Sequence, residues 1–439
     1  MTGTTVAGQA VTGQAVTGQA VTGQAENEPG DTTEVSAQTP EHHASGPRVF
    51  RIGRQLSSLP AWLQVLAIYA VSRLVGFLII GRVARFQAPS AWSEPDPGYS
   101  GILSLWDGDW YRRVAETGYP PTLPVDATGA VQQNEWAFYP LFPTTVRTLM
   151  RVLGTEWALT ASFVAMACGA LAVLVMYNLV QHTAGRSAAL WTVALFSFFP
   201  SAAVLQLAYT EAMGVLLLVT TLWCLQRREY LAGVAVVLMT GLARPIGVPL
   251  AAVVGLHVLL RIIRRRREPV SLRAFLAMLA LTGSAAFSAV EWPLIAARAT
   301  GVPDAYTQSM SAWRAGHEIV PIKPWWWMSR YFLGEWVGPA TLAVVVILTV
   351  WALTRPAARA IAGDLRAWVF CYLGYLVVVL DPSTSLPRYL LLLFPLGTVA
   401  AAASPSPAYR RALLLAFAAG QILWVSWLWR FSPPTDWPP

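Results

Sequence analysis

Eleven stretches of this chain are apolar and close to membrane-spanning length: residues 61–81, 157–180, 188–205, 207–225, 230–243, 246–263, 271–295, 337–354, 366–381, 389–403 and 410–430. A straight helix needs roughly 20 apolar residues to cross the hydrocarbon core of a bilayer, so a chain organised this way has lipid as its main solvent. The expected fold is an all-α polytopic integral membrane protein with about 11 helices, in a range of about 9–13. Several stretches fall short of that length, so tilted or broken helices are part of the expectation. Charge agrees, because only 12% of the residues are Asp, Glu, Lys or Arg, against roughly 25% in soluble domains.

The net charge of +8 does not point to nucleic acid, because Lys323 is the sole lysine and the arginines are scattered between apolar runs. Cys168, Cys224 and Cys371 all lie within apolar stretches without ligand or pairing spacing, so neither a disulfide framework nor a metal site is expected. No phosphate-cradling glycine loop, Walker lysine or dinucleotide fingerprint is present, and no cofactor is expected.

Residues 1–56 carry four adjacent five-residue units, from Val6 to Ala25, then scattered acids among Thr, Pro and Gly. Such a segment cannot offset its ordering entropy and reads as a disordered low-complexity cytoplasmic tail. No basic region leads directly into a short apolar run there, so the first span is expected to direct targeting. The remaining body, 57–432, reads as one transmembrane domain, with 433–439 as a short tail. Arg48, Arg51 and Arg54 precede the first span, and Arg186, Arg227, Arg228, Arg261, Arg264–Arg267, Arg355, Arg359 and Arg366 fall between later spans. Under the positive-inside rule these lie in the cytoplasm. Three connections are then external: 82–156, 296–336 and a short one around Asp381 to Arg388. Trp, Asp, Tyr, His and Pro accumulate there, which favours chemistry at the outer interface over a transport pathway through the bundle.

Five polar constellations stand out. Trp106-Asp107-Gly108-Asp109-Trp110-Tyr111 offers two carboxylates, which diverge on a regular helix unless Gly108 permits a turn. Asp107 is the preferred general base, with the aromatics as sugar-stacking surfaces. The alternative is that both acids cap an amphipathic helix beginning near Trp110. Phe199-Pro200-Ser201 followed by Tyr209-Thr210-Glu211 places a carboxylate in an apolar setting, either as a site residue or as a structural partner of an arginine. Arg244 before Pro245 either clamps a phosphate or pairs with Glu211. Further on, His317 and Glu318 form either a substrate contact or a surface pair, and Arg388 in Pro387-Arg388-Tyr389 is placed to meet a lipid phosphate, while Tyr389 contacts substrate or anchors its helix.

Taken together, these segments resemble the PIG-V type mannosyltransferases, integral-membrane members of the GT-C glycosyltransferase superfamily that include the second mannosyltransferase of GPI-anchor assembly. The resemblance covers roughly residues 60–430 and rests on Trp106-Asp107-Gly108 with Trp110-Tyr111 and Gly118-Tyr119, Phe138-Tyr139-Pro140-Leu141, Phe199-Pro200-Ser201 with Tyr209-Thr210-Glu211, Arg244-Pro245, and Pro387-Arg388-Tyr389. It implies a GT-C-type bundle with interfacial helices in the first outer loop. It also implies inverting transfer of mannose from a polyprenyl-phosphate-linked donor to an extracytoplasmic glycan, glycolipid or protein acceptor. The family's acidic residue in the first outer loop falls on Asp107, with Asp109 as understudy, and Glu211 is the second acidic position. Arg244 and Arg388 fall on the phosphate-binding arginines. Trp106, Trp110, Tyr111, Tyr209, His317, Glu318 and Tyr389 are left to bind or orient substrate. The arginine bias reads as a GC-rich bacterial coding sequence, hence the bacterial plasma membrane as location; a monomer is expected, with its N-terminus inside by the positive-inside rule. The competing readings are a flippase or carrier for a lipid-linked sugar, and a non-catalytic partner of a glycosyltransferase.

Overall fold

The computed structural model describes residues 59–430 except Ala91 and Ala315. The expected tail at 1–56, with its repeats and Arg48, Arg51 and Arg54, lies outside the described residues, as does 433–439. Among the described residues all extended regular structure is helical, and the single antiparallel bridge joins Val125 to Val131.

α1 (Ala61–Arg85) is followed by three helices within the first long connection: α2 (Gly98–Leu103), α3 (Asp107–Thr117) and α4 (Leu141–Leu153). α5 (Trp157–Ser197) leads through a 3-10 turn, Ala202–Gln206, into α6 (Glu211–Arg227), α7 (Tyr230–Gly241) and α8 (Gly247–Ile263). Next come α9 (Leu272–Ser288), α10 (Glu291–Thr300), α11 (Ala305–Trp313), α12 (Lys323–Leu333) and α13 (Val337–Thr354). The chain ends with α14 (Gly363–Val379), α15 (Leu386–Leu390), α16 (Pro395–Ala403) and α17 (Pro407–Leu428).

Five of these helices are long and apolar enough to cross a membrane: α1, α5, α8 with the turn after it, α13 and α17. Two bent pairs raise the number to seven, α9 with α10 at 51° and Leu386–Leu393 with α16 at 71°. The chain is thus an all-α polytopic membrane protein, but the eleven expected stretches do not become eleven long rods. α6 and α14 have 17 residues each and α7 has 12, short of the straight crossing length. α5, at 41 residues, merges two expected spans. At 1.5 Å per residue it would measure roughly 60 Å, about twice the hydrocarbon thickness. Gly185, with φ 82° and ψ 165°, breaks it into two limbs. The second limb stops at Ser197, because Pro200 lacks the amide to extend it and restricts the residue before it.

The interior sits around α6, which packs on α5 and α7, while α1 and α16 pack on α5, and α8 on α14. At the other extreme, α13 buries only Gly338 of its own residues, as suits a helix facing hydrocarbon. A second, aromatic cluster joins the two long connections: Trp136 and Tyr139 lie with Trp292, Ala296 and Ala305, and the Trp292 indole donates to the Trp136 carbonyl at 3.0 Å.

Candidate active site

Asp107 is the first residue of α3, not a cap preceding a helix near Trp110. Trp106 holds the N-cap position without a side-chain cap bond, at φ 59°. That left-handed backbone costs roughly 1–3 kcal/mol for a non-glycine residue, so surrounding contacts must hold it. Gly108 supplies one of them. A Cβ there would lie 3.2 Å from the Leu103 carbonyl and 3.4 Å from the Ala208 methyl. The Ala208 amide donates to that same carbonyl at 3.0 Å, and the Tyr209 hydroxyl donates to the Leu105 carbonyl at 3.2 Å. The first turn of α3 is therefore pressed onto the segment that leads into α6.

This contact carries Asp107 toward Glu211, and two arginines from later in the chain close the group. Arg388 Nη1 donates to Asp107 Oδ2 at 2.6 Å and lies 3.4 Å from Glu211 Oε1. Arg244 Nη1 lies 3.0 Å from Glu211 Oε1 and donates to Thr210 Oγ1, also at 3.0 Å. The Tyr111 hydroxyl shares Thr210 Oγ1 at 3.2 Å. Arg244 reaches Glu211 across Gly214, one turn along α6, where a Cβ would collide with the arginine's own side chain.

Glu211, Arg244 and Arg388 are almost fully buried, whereas the Asp107 side chain is 26% exposed. Two carboxylates and two guanidiniums cancel in charge, which is what makes such burial tolerable. Hydrogen bonding is not complete, however. The Nε of Arg244 and the Nε of Arg388 are both buried without a partner, leaving two donors for a further acceptor. Arg388 is held from several sides: its guanidinium lies 5.1 Å from the Tyr209 ring centre and 6.0 Å from that of Tyr389, and the Ser201 hydroxyl donates to the adjacent Pro387 carbonyl at 2.7 Å.

The remaining expected residues divide between this group and its surroundings. Asp109 points away from the cluster and pairs with Arg112 at 2.5 Å and Arg113 at 2.8 Å on the exposed side of α3. Burial, with Asp107 nearby, pushes the Tyr111 phenol well above its ordinary value, so it stays a neutral hydrogen-bonding group. Trp110 stacks on Phe138 at 5.7 Å, meets Trp313 edge-on at 5.2 Å and carries the Arg113 guanidinium over its ring. A cavity of about 960 Å³ opens beside the cluster, with Trp92, Trp106, Asp107, Trp110, Trp157 and Trp313 in its wall. Asp107 thus has two sides, one bound to Arg388 and one open to an aromatic cavity.

His317 and Glu318 are exposed and lie outside the cluster. His317 Nδ1 meets the Glu318 carbonyl at 2.9 Å, and its Nε2 lies 3.4 Å from Asp381, which Arg314 approaches at 3.9 Å. Among the described residues no group of three or more His, Cys, Asp and Glu side chains could hold a metal ion.

Two residues were hidden inside apolar stretches. Arg73, in α1, is buried and donates to the carbonyls of Ala202 at 2.5 Å and Ser197 at 2.9 Å, closing the turn between α5 and α6. Glu291 sits at the bend between α9 and α10 with Oε2 buried and unpartnered. The available signal was a charge within a spanning run, which is expensive unless it has a task.

No protein-family model and no curated protein matches the chain. Among solved structures it is similar to ArnT from Cupriavidus metallidurans bound to undecaprenyl phosphate, with 15% identity and a TM-score of 0.47 over 81% of this chain and 63% of that one. It is also similar to the oligosaccharyltransferase AglB from Archaeoglobus fulgidus, in complex with an inhibitory peptide and a dolichol-phosphate, with 12% identity and a TM-score of 0.44 over 84% of this chain and 56% of that one. The apo form of the A. fulgidus oligosaccharyltransferase gives 13% identity and a TM-score of 0.44, over 85% of this chain and 57% of that one. The chain spans less than two thirds of the length of each.

Proposed function

We propose that the protein is a GT-C-type glycosyltransferase of the bacterial plasma membrane that transfers mannose, with inversion, from a polyprenyl-phosphate donor to an acceptor hydroxyl on the extracytoplasmic side. The observation that carries this reading is the Arg388 guanidinium, which bridges Glu211 and Asp107, the latter 281 positions away in the chain, while its own Nε lacks a partner. Asp107, Glu211, Arg244 and Arg388, which the family resemblance picks out in separate segments, meet at one point beside a cavity walled by tryptophans. Mannose itself and inversion come from the resemblance, and the sidedness comes from the arginine pattern.

In this mechanism the acceptor hydroxyl enters from the aromatic cavity and loses its proton to the Asp107 carboxylate. Its oxygen forms the new bond to the anomeric carbon as the bond from that carbon to the phosphate oxygen breaks. The polyprenyl phosphate leaves with the bonding electron pair, its charge held by Arg388 and by Arg244, whose free Nε groups supply additional donors. Glu211 keeps the two guanidiniums in place. Asp109, engaged by Arg112 and Arg113, takes no part in the transfer.

The test is incubation of the purified protein in lipid with radiolabelled polyprenyl-phosphate-mannose and candidate acceptors, repeated with Asp107→Asn. Labelled product from the native chain, lost in the variant, is the expected result. Translocation of the lipid without a new glycosidic bond would overturn the enzyme reading in favour of a flippase.

A further inference from the structure

The C-terminal ends of α6 and α8 and the N-terminal end of α14 frame a second cavity of about 520 Å³. Gln226 and Arg228 lie at the end of α6, roughly 25 Å from Glu211 at 1.5 Å per helical residue. The end of α8 contributes Arg261 and Arg264, and the start of α14 contributes Asp364 and Arg366. The site derived above uses none of these residues.

Four arginines face two carboxylates here, an excess of two positive charges. Glu268 is shared between Arg228 and Arg261, with the latter contact at 2.6 Å. Asp364 is taken by His257 Nδ1 at 2.9 Å, and that ring's Nε2 lies 3.4 Å from the Tyr230 hydroxyl. The Arg264 and Arg366 side chains have no carboxylate partner among the described residues, and Arg261 Nε is buried without any partner. The cavity is therefore net positive in its lining and suited to an anionic group. Its wall adds a second requirement, because Leu256, Leu260 and Phe370 line it while remaining exposed. A fully hydrated ion has no use for such a wall, whereas acyl chains do.

We propose that this cavity binds an anionic phospholipid, with its phosphate on Arg261, Arg264 and Arg366 and its chains along Leu256, Leu260 and Phe370. The lipid completes the charge balance at the end of the bundle opposite the proposed chemistry, and its binding does not depend on that chemistry. The identity of the reaction can fail while this site stands, and the reverse.

Native mass spectrometry of the full chain in detergent, with added dioleoylphosphatidylglycerol or dioleoylphosphatidylcholine, reads the binding directly. Retention of phosphatidylglycerol over phosphatidylcholine is expected. Arg261→Gln with Arg264→Gln should weaken it about thirtyfold, the loss of two cation–headgroup contacts. Arg359→Gln, which removes an arginine outside the cavity, should leave it unchanged. An equal loss in Arg359→Gln, or equal retention of the two lipids by the native chain, overturns the proposal. So does displacement of the lipid by millimolar inorganic phosphate, which would make the ligand a free anion. If the double variant does not fold, Arg366→Gln and the two-lipid comparison on the native chain decide the matter by the same criteria.

Discussion

Replacing Asp107 by Asn should do two opposite things, and the pair of effects is more diagnostic than either alone. In the resting protein Arg388 Nη1 is committed to Asp107 at 2.6 Å. In the proposed mechanism a donor phosphate must therefore compete with a carboxylate for Arg388. A hydrogen bond between charged groups contributes about 1.5–3 kcal/mol, and Asp107 is 26% exposed, so solvent screening places this one toward the lower end. The asparagine oxygen still accepts from Arg388 but brings no negative charge. The affinity for polyprenyl phosphate should accordingly rise about tenfold, the equivalent of about 1.4 kcal/mol. Transfer should meanwhile fall about 10²- to 10⁴-fold, the usual contribution of a general base. Calorimetric titration of polyprenyl phosphate into nanodisc-embedded protein, beside radiolabelled transfer assays, reads both quantities. Weaker binding by a correctly folded variant would refute the competition between Asp107 and phosphate for Arg388, and undiminished transfer would remove Asp107 as the base.

Asp109→Asn should change transfer by less than about threefold and stability by less than about 1 kcal/mol, because its two arginine partners are exposed; transfer assays and thermal unfolding check both. Gly214→Ala places a methyl where the Arg244 side chain now lies and should reduce transfer about a hundredfold at subsaturating donor, since displacement by about 1 Å is enough for that. Circular dichroism should show an intact helix content alongside the kinetic loss. Arg244→Ala leaves Glu211 buried with Arg388 alone at 3.4 Å and should destabilise the protein by about 3–5 kcal/mol in denaturant unfolding. Adding Glu211→Gln should restore part of that loss, and failure to do so would argue against the pair as the source.

How much of this was readable beforehand depends on the range of the interaction. Apolar runs mark helices because burial in lipid is a local requirement, and they marked α1, α8, α13 and α17 well. Breaks within such runs escaped, because a single residue, Gly185, decides whether 41 helical residues form one rod or two limbs. The divergence of Asp107 and Asp109 followed from their spacing, but which of them turns inward did not. That choice is made by Gly108 against Leu103 and against Ala208, the latter a hundred residues further along the chain. Averaged hydropathy likewise concealed Arg73 and Glu291 within long apolar stretches, although an isolated charge there was itself the signal.

The charge count at the cluster ties its resting geometry to the proposed reaction. Two arginines and two carboxylates sum to zero, so a phosphodiester donor brings the group to one negative charge. Transfer converts the diester into a phosphate monoester with one more negative charge, and in the same step Asp107 takes up the acceptor's proton and loses its own. The total stays at one negative charge from bound donor to bound product. A buried site gains from this, because a change in net charge within a low-dielectric interior is the expensive event and a redistribution of charge is not. It also assigns the partial exposure of Asp107 a purpose: of the four charged groups it alone is neutralised, and it is the one that borders the cavity through which its proton must finally leave.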